Sequence, residues 1–180
     1  MPDSLRLFVA AYPPAEAARA MLEMLASLEI PQSRMVPADQ VHLTLHFVGK
    51  TSVRDFEQVS ESVERSCSGI KPGKLIVRSL ETLPARGHAR LVAAICDADP
   101  GTLELQRRLA GRLTHRPRSH PGDRFLAHLT LCRFHTPQRV QMEVTLPAPM
   151  ECPVDYVSLM SSELGPRGAR HVERRRFPLG

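Results

Sequence analysis

Two histidine–threonine pairs carry the chemistry this sequence could perform. His42 and Thr44 lie in Val41-His42-Leu43-Thr44-Leu45-His46-Phe47, and His128 and Thr130 in His128-Leu129-Thr130-Leu131. Histidine titrates near neutral pH, so one imidazole can accept a proton while another donates one. In-line displacement at phosphorus needs that division of labour, a base for the attacking oxygen and an acid for the leaving oxygen. A threonine two residues further on shares the histidine's face of a strand. Its hydroxyl can hydrogen-bond a non-bridging phosphate oxygen as charge shifts in the transition state. No metal is required when the leaving group is activated, as in a strained cyclic phosphate. The competing chemistries lack their signatures. No third ligand stands at a zinc-like spacing from the two histidines, and H-E-x-x-H, G-x-S-x-G, P-loop and G-x-G-x-x-G motifs are all missing.

Both histidines need strands to present them. Val41 to Phe47 alternates with period two, which sends Val41, Leu43, Leu45 and Phe47 to a core and His42, Thr44 and His46 to the opposite face. Strand-like residues Leu5 to Ala11 come before it. A helix over Ala15 to Leu28 follows them, with Ala17, Met21, Leu22, Leu25 and Leu28 at three- and four-residue intervals. Later come a helix over Val53 to Cys67, a strand over Leu75 to Leu83 and a buried apolar strand over Leu91 to Cys96. A helix that Thr102 can cap precedes the second histidine strand, Leu126 to Phe134. Strands at Val140 to Leu146, Val154 to Met160 and His171 to Phe177 finish the chain. Strand, helix, loop and histidine strand thus occur twice. Thirty-seven positions separate Leu5 from His42, and the same number separates Leu91 from His128. An internal duplication accounts for this, and two like lobes about a pseudo-dyad would bring the polar strand faces together in a cleft.

The doubled H-x-T-x resembles the signatures of the 2H phosphoesterase superfamily, most closely its RNA 2′,3′-cyclic phosphodiesterases, historically called 2′-5′ RNA ligases. The likeness runs over nearly the whole chain, through Arg6-Leu7-Phe8-Val9-Ala10, Val36-Pro37 to Gly49, and Arg176-Phe177-Pro178-Leu179. It implies an α+β fold, a single bilobal unit over 1–180 built from two related halves, with antiparallel sheets, outer helices and a central cleft. The implied reaction is hydrolysis of an RNA terminal 2′,3′-cyclic phosphate to a 2′-phosphomonoester, with 2′-5′ ligation as the same chemistry run with a 5′-hydroxyl. It assigns His42 as proton donor and His128 as acceptor, with Thr44 and Thr130 holding the phosphate; the near-symmetric residues alone leave donor and acceptor open. Three positions depart from the family pattern: Met35, where tryptophan is common, His46, where lysine is common, and His171, near a usual tyrosine.

Around this core the resemblance and the residue types nominate further contacts. Arg133 falls where relatives carry a basic residue that meets substrate, provided a bulge turns it from the core side. Phe8 offers an aromatic surface for a terminal base, against the plainer reading of a core phenylalanine. His46 would add positive charge beside His42, and Cys132 would share the face of His128. The loop arginines Arg86, Arg90, Arg116, Arg118 and Arg124 suit a phosphate backbone, while His88, His115, His120 and His135 suit solvent.

The net charge of +5 agrees with an anionic partner such as RNA, although arginine enrichment explains it as well. Cys67, Cys96, Cys132 and Cys152 show no paired spacing, and the N-terminus carries no signal-like segment, so reduced thiols in a cytoplasmic monomer are expected. No apolar run reaches membrane-spanning length. The expected partners are RNA ends bearing a 2′,3′-cyclic phosphate, with no cofactor. The competing readings keep the site but change the substrate to a small cyclic nucleotide or ADP-ribose cyclic phosphate, or leave a non-catalytic RNA-binding module.

Overall fold

A computed structural model describes residues 4–114, 125–165 and 168–180. The sheet is built first from β1 (Ser4–Ala11) and β3 (Leu43–Ser52), with helix α1 (Ala15–Ala26), the short strand β2 (Ser33–Met35) and a 3-10 turn (Ala38–Gln40) between them. Helix α2 (Phe56–Cys67) leads to β4 (Gly73–Leu83) and β5 (Ala89–Ala98). Helix α3 (Pro100–Leu113), β6 (His128–Gln138), β7 (Glu143–Val154), β8 (Tyr156–Gly165) and β9 (Gly168–Pro178) complete the order. Nine strands form one sheet in the order β7-β4-β5-β6-β3-β1-β8-β9, with β2 added on β6 and every pairing antiparallel.

Two strands of the first half join the second along β6: β2 pairs with it through Ser33–Phe134, Arg34–Arg133 and Met35–Cys132, and β3 meets it at one pair. Leu43 pairs with Leu129, and no other residue of β3 pairs with β6. Around that seam the order is mirrored: β3, β1, β8, β9 on one side and β6, β5, β4, β7 on the other. Alternation along β1 separates two environments. Leu7, Val9 and Ala11 enter the main core, which also takes Met21 and Leu25 of α1, Val63 of α2 and Leu105 and Leu109 of α3. Phe8, Ala10 and Tyr12 face the other way, with Met160.

The duplication holds, but its alignment differs from the spacing read in the sequence. Val9, Ala10 and Ala11 pair with His46, Thr44 and Leu43, while Val92, Ala93 and Ala94 pair with Cys132, Thr130 and Leu129. The equivalent of Leu91 is therefore Phe8, not Leu5. The connection from strand to histidine is three residues longer in the second half, 37 positions against 34.

Each histidine strand also carries the same irregularity. The β1–β3 register skips Leu45, and the β5–β6 register skips Leu131, one extra residue at matching positions. A second skip in β3 leaves Val48 unpaired, next to Gly49 at φ 92. The bulges overturn the simple alternation beyond them. Phe47, expected in the core, pairs with Phe8 on the helix-free face and is 68% exposed. His46 pairs with Val9, a main-core residue, so it lies across the strand from His42 and not beside it. Cys132 likewise pairs with Val92 and is fully buried.

Helix α3 is capped one turn earlier than Thr102 suggested. The Asp99 side chain accepts from the Gly101 and Thr102 amides and from the Thr102 hydroxyl, and Pro100 fits the first turn. The same carboxylate accepts from the Lys74 amide and so ties α3 to the start of β4.

Candidate active site

The Leu43–Leu129 pair points both leucines into the core. In antiparallel register its neighbours, His42 with Thr130 and Thr44 with His128, fall opposite one another on the helix-free face. The two histidines are then diagonal neighbours, with backbones about 7–8 Å apart, which leaves room for a tetrahedral phosphate between the rings. All four motif residues are partly exposed. The two halves of the doubled motif, far apart in the chain, thus meet on one face.

Both imidazoles are held in the same way. His42 Nδ1 lies 2.7 Å from the Gln40 carbonyl, and His128 Nδ1 lies 2.9 Å from the Leu126 carbonyl. A carbonyl only accepts, so each Nδ1 carries the proton and each Nε2 is left for chemistry. The surroundings of the two rings differ. His42 packs against Phe8 (5.2 Å between ring centroids), Tyr12 (5.4 Å) and, edge-on, His171 (4.9 Å). Burial pushes His42 down to about 4; the Gln40 carbonyl opposes this, and the charges of His171, Arg133 and His128 add to it. His42 is therefore neutral at pH 7.

His171, noted above only as a departure from the family pattern, belongs to this site. It lies 129 positions beyond His42, on the edge strand β9, and only the fold brings it close. Its backbone amide donates to Gln40 Oε1 at 2.8 Å, so Gln40 holds His42 through its carbonyl and β9 through its side chain. Burial, and then the Arg133 guanidinium, lower the pKa of His171. Among the described residues its buried Nδ1 has no hydrogen-bond partner, nor does the Tyr12 hydroxyl, whose pKa burial raises.

Arg133 does reach the site face. It pairs with Leu91, the position equivalent to Phe8, and the Leu131 bulge turns it there as the Leu45 bulge turns Phe47. It is exposed and makes no ion pair with a described residue. Phe8 touches His42 but is only 3% exposed, because His171 and Phe47 cover it. It cannot present an open ring to a base. His46 is not part of the site. Arg86, Arg90 and His135 are exposed, and His88 accepts from Arg139; Arg116, Arg118, Arg124, His115 and His120 lie outside the described residues. The four cysteines are buried free thiols. Burial pushes Cys67 and Cys96 up to about 12 and Cys152 up to about 11, so none of these three is a nucleophile near neutrality.

Residues 10–166 match the family model described as the 2'-5' RNA ligase superfamily. Among solved structures, TT0787 of Thermus thermophilus superposes with a TM-score of 0.84 at 26% identity, over 97% of this chain and 98% of that one. E. coli LigT complexed with 3'-AMP superposes with a TM-score of 0.81 at 22% identity, over 98% of both chains. LigT complexed with NADP+ gives 0.76 at 26% identity, again over 98% of both. No curated protein matches by sequence.

Proposed function

From the chain's membership of the 2'-5' RNA ligase superfamily, the 2H phosphoesterases, we propose that it hydrolyses RNA terminal 2′,3′-cyclic phosphates to 2′-phosphomonoesters. The observation that carries this reading is the pair of imidazoles on either side of the Leu43–Leu129 seam, each with Nδ1 fixed by a carbonyl and Nε2 free. A phosphate seated between them accepts hydrogen bonds from Thr44 and Thr130. His128 Nε2 takes a proton from water as the water oxygen bonds to phosphorus. The P–O3′ bond breaks, and O3′ leaves with the proton of His42 Nε2. The two electrons of the broken bond stay on O3′, and the ester to O2′ remains.

His42 must be charged to act as the donor. Its neutral state follows from burial, and an anionic phosphate within contact distance reverses that balance by favouring imidazolium. Substrate thus supplies the condition for its own acid catalyst. Arg133, on the same face, adds a fixed positive charge toward the phosphate oxygens. A 5′-hydroxyl in place of water uses the same groups to form a 2′-5′ linkage.

The test is product analysis by phosphorus NMR on an RNA ending in a cyclic phosphate, with and without EDTA. A 2′-phosphate should appear at equal rates under both conditions. His42→Ala and His128→Ala should each lose about 10²–10⁴-fold in turnover while keeping the wild-type circular dichroism spectrum. Full activity in either variant would defeat the reading.

A further inference from the structure

The helix-free face does not end at His42. Along β1 the residues on that face are Tyr12, Ala10, Phe8 and then Arg6, and the register sets Arg6 directly across from Lys50. Both are exposed, and neither has an ion-pair or hydrogen-bond partner among the described residues. Like charges directly opposite on paired strands destabilise a sheet. Between this pair and His42 stands Phe47, bulged onto the same face with its ring 6.2 Å from Phe8. The other half lacks this arrangement: the counterpart of Phe47 is Arg133, and beyond it Ala89 pairs with Gln138.

We propose that this face of β1 and β3 is a track for the single-stranded RNA that leads into the site. Phe47 stacks the terminal base, and Arg6 with Lys50 takes the phosphate joining that nucleotide to the one before it. The inference rests on the hydrolase reading above and adds the residues that recognise the polymer leading to the terminal cyclic phosphate. An exposed aromatic serves any base, because every base has a π-face, and two unpaired cations one step further on suit the next backbone phosphate. Two residues of extended strand, roughly 7 Å, separate Arg6 from Phe8.

The experiment compares a nucleoside 2′,3′-cyclic monophosphate with a dinucleotide ending in the same group, for wild type, Phe47→Ala, Phe47→Trp and the double variant Arg6→Gln/Lys50→Gln. Phe47→Ala should raise KM on both substrates by roughly 5- to 100-fold, and Phe47→Trp should restore it. The double variant should erase the wild-type preference for the dinucleotide and flatten its dependence on salt. It should melt no lower than wild type, since it removes a repulsion. Wild-type KM for the dinucleotide in both Phe47→Ala and the double variant would overturn the track and leave the hydrolase reading intact. Equal losses of the double variant on both substrates would also overturn it. If the wild type turns over neither substrate, the hydrolase reading fails. The track is then judged on affinity for a dinucleotide 2′-phosphate by calorimetry, where unchanged binding in the variants rejects it.

Discussion

His42 is the residue whose environment makes the sharpest demand. Its neighbours are rings and its pKa is driven to about 4, below the ordinary histidine value. Titrated by NMR, the free protein should show one imidazole with a pKa near 4, and adding adenosine 2′-monophosphate should move it upward. A consequence for stability follows from the sign of the shift. The unfolded chain binds His42's proton more readily than the folded one, so His42's contribution is present above about pH 6.5 and is lost as pH falls through 4. Denaturation midpoints should drop across that window, and His42→Asn should flatten the slope. Gln40→Ala leaves the carbonyl that holds His42 but removes the side chain that holds β9. Its expected effect is a lower kcat with a displaced His42 signal rather than a loss of fold. None of this second layer was legible in the chain. His42 and Thr44 declared themselves by period two, but the ring that abuts His42 comes from a strand 129 residues away.

At the level of elements, sequence pattern and structure part at the bulges. His42 to Thr44 and His128 to Thr130 obey strict alternation, which is why each histidine and its threonine could be read onto one face. One residue later the period fails; nothing in Leu45-His46-Phe47 announces it, whereas in Leu131-Cys132-Arg133 the cost of a buried guanidinium pointed to a bulge. Phe47 looked like core because phenylalanine after two inward leucines usually is. The misaligned repeat has a different cause. Leucine is too common to mark a register, whereas Val9-Ala10-Ala11 and Val92-Ala93-Ala94 are the equivalent trios and lay in plain view. Helix α3 gives a test at this scale. Burial raises the Asp99 pKa, but hydrogen bonds from Thr102, Lys74 and Gly101 outweigh it and hold the carboxyl below its usual range. Asp99→Ala should cost about 1–2 kcal/mol in urea unfolding. In the wild type that contribution is present above about pH 4 and lost as pH falls below it.

The whole molecule is two halves sharing a core and meeting along β6, which takes β2 over three residue pairs and β3 at the single Leu43–Leu129 pair. The order of strands about that pair was not readable, since pairing between distant strands has no local sign in sequence. The bilobal duplication and the outer helices were, because duplication leaves the same pattern twice. Leu43 and Leu129 are fully buried at the seam, and each sits between a catalytic candidate and its threonine. Leu129→Ala should destabilise the fold by about 2–5 kcal/mol. It should also cut activity under conditions where the variant is still fully folded by circular dichroism, because it loosens His128 and Thr130 together.

The extra residue at Leu45 and Leu131 carries one more implication. A gene is read in threes, and a strand is read in twos: shifting by one exchanges its faces. Leu45 is the residue that the pairing skips, so its removal would leave Thr44 opposite Ala10 and His46 opposite Val9 in unbroken alternation, with Phe47 still on the site face. What the deletion takes away is one buried leucine side chain from the core. The faces downstream should therefore survive the loss of Leu45, whereas a change of length that the ladder does not bulge out exchanges them. The extra residue is a place where the ladder absorbs length, and beyond it the two halves carry a phenylalanine and an arginine on the same face.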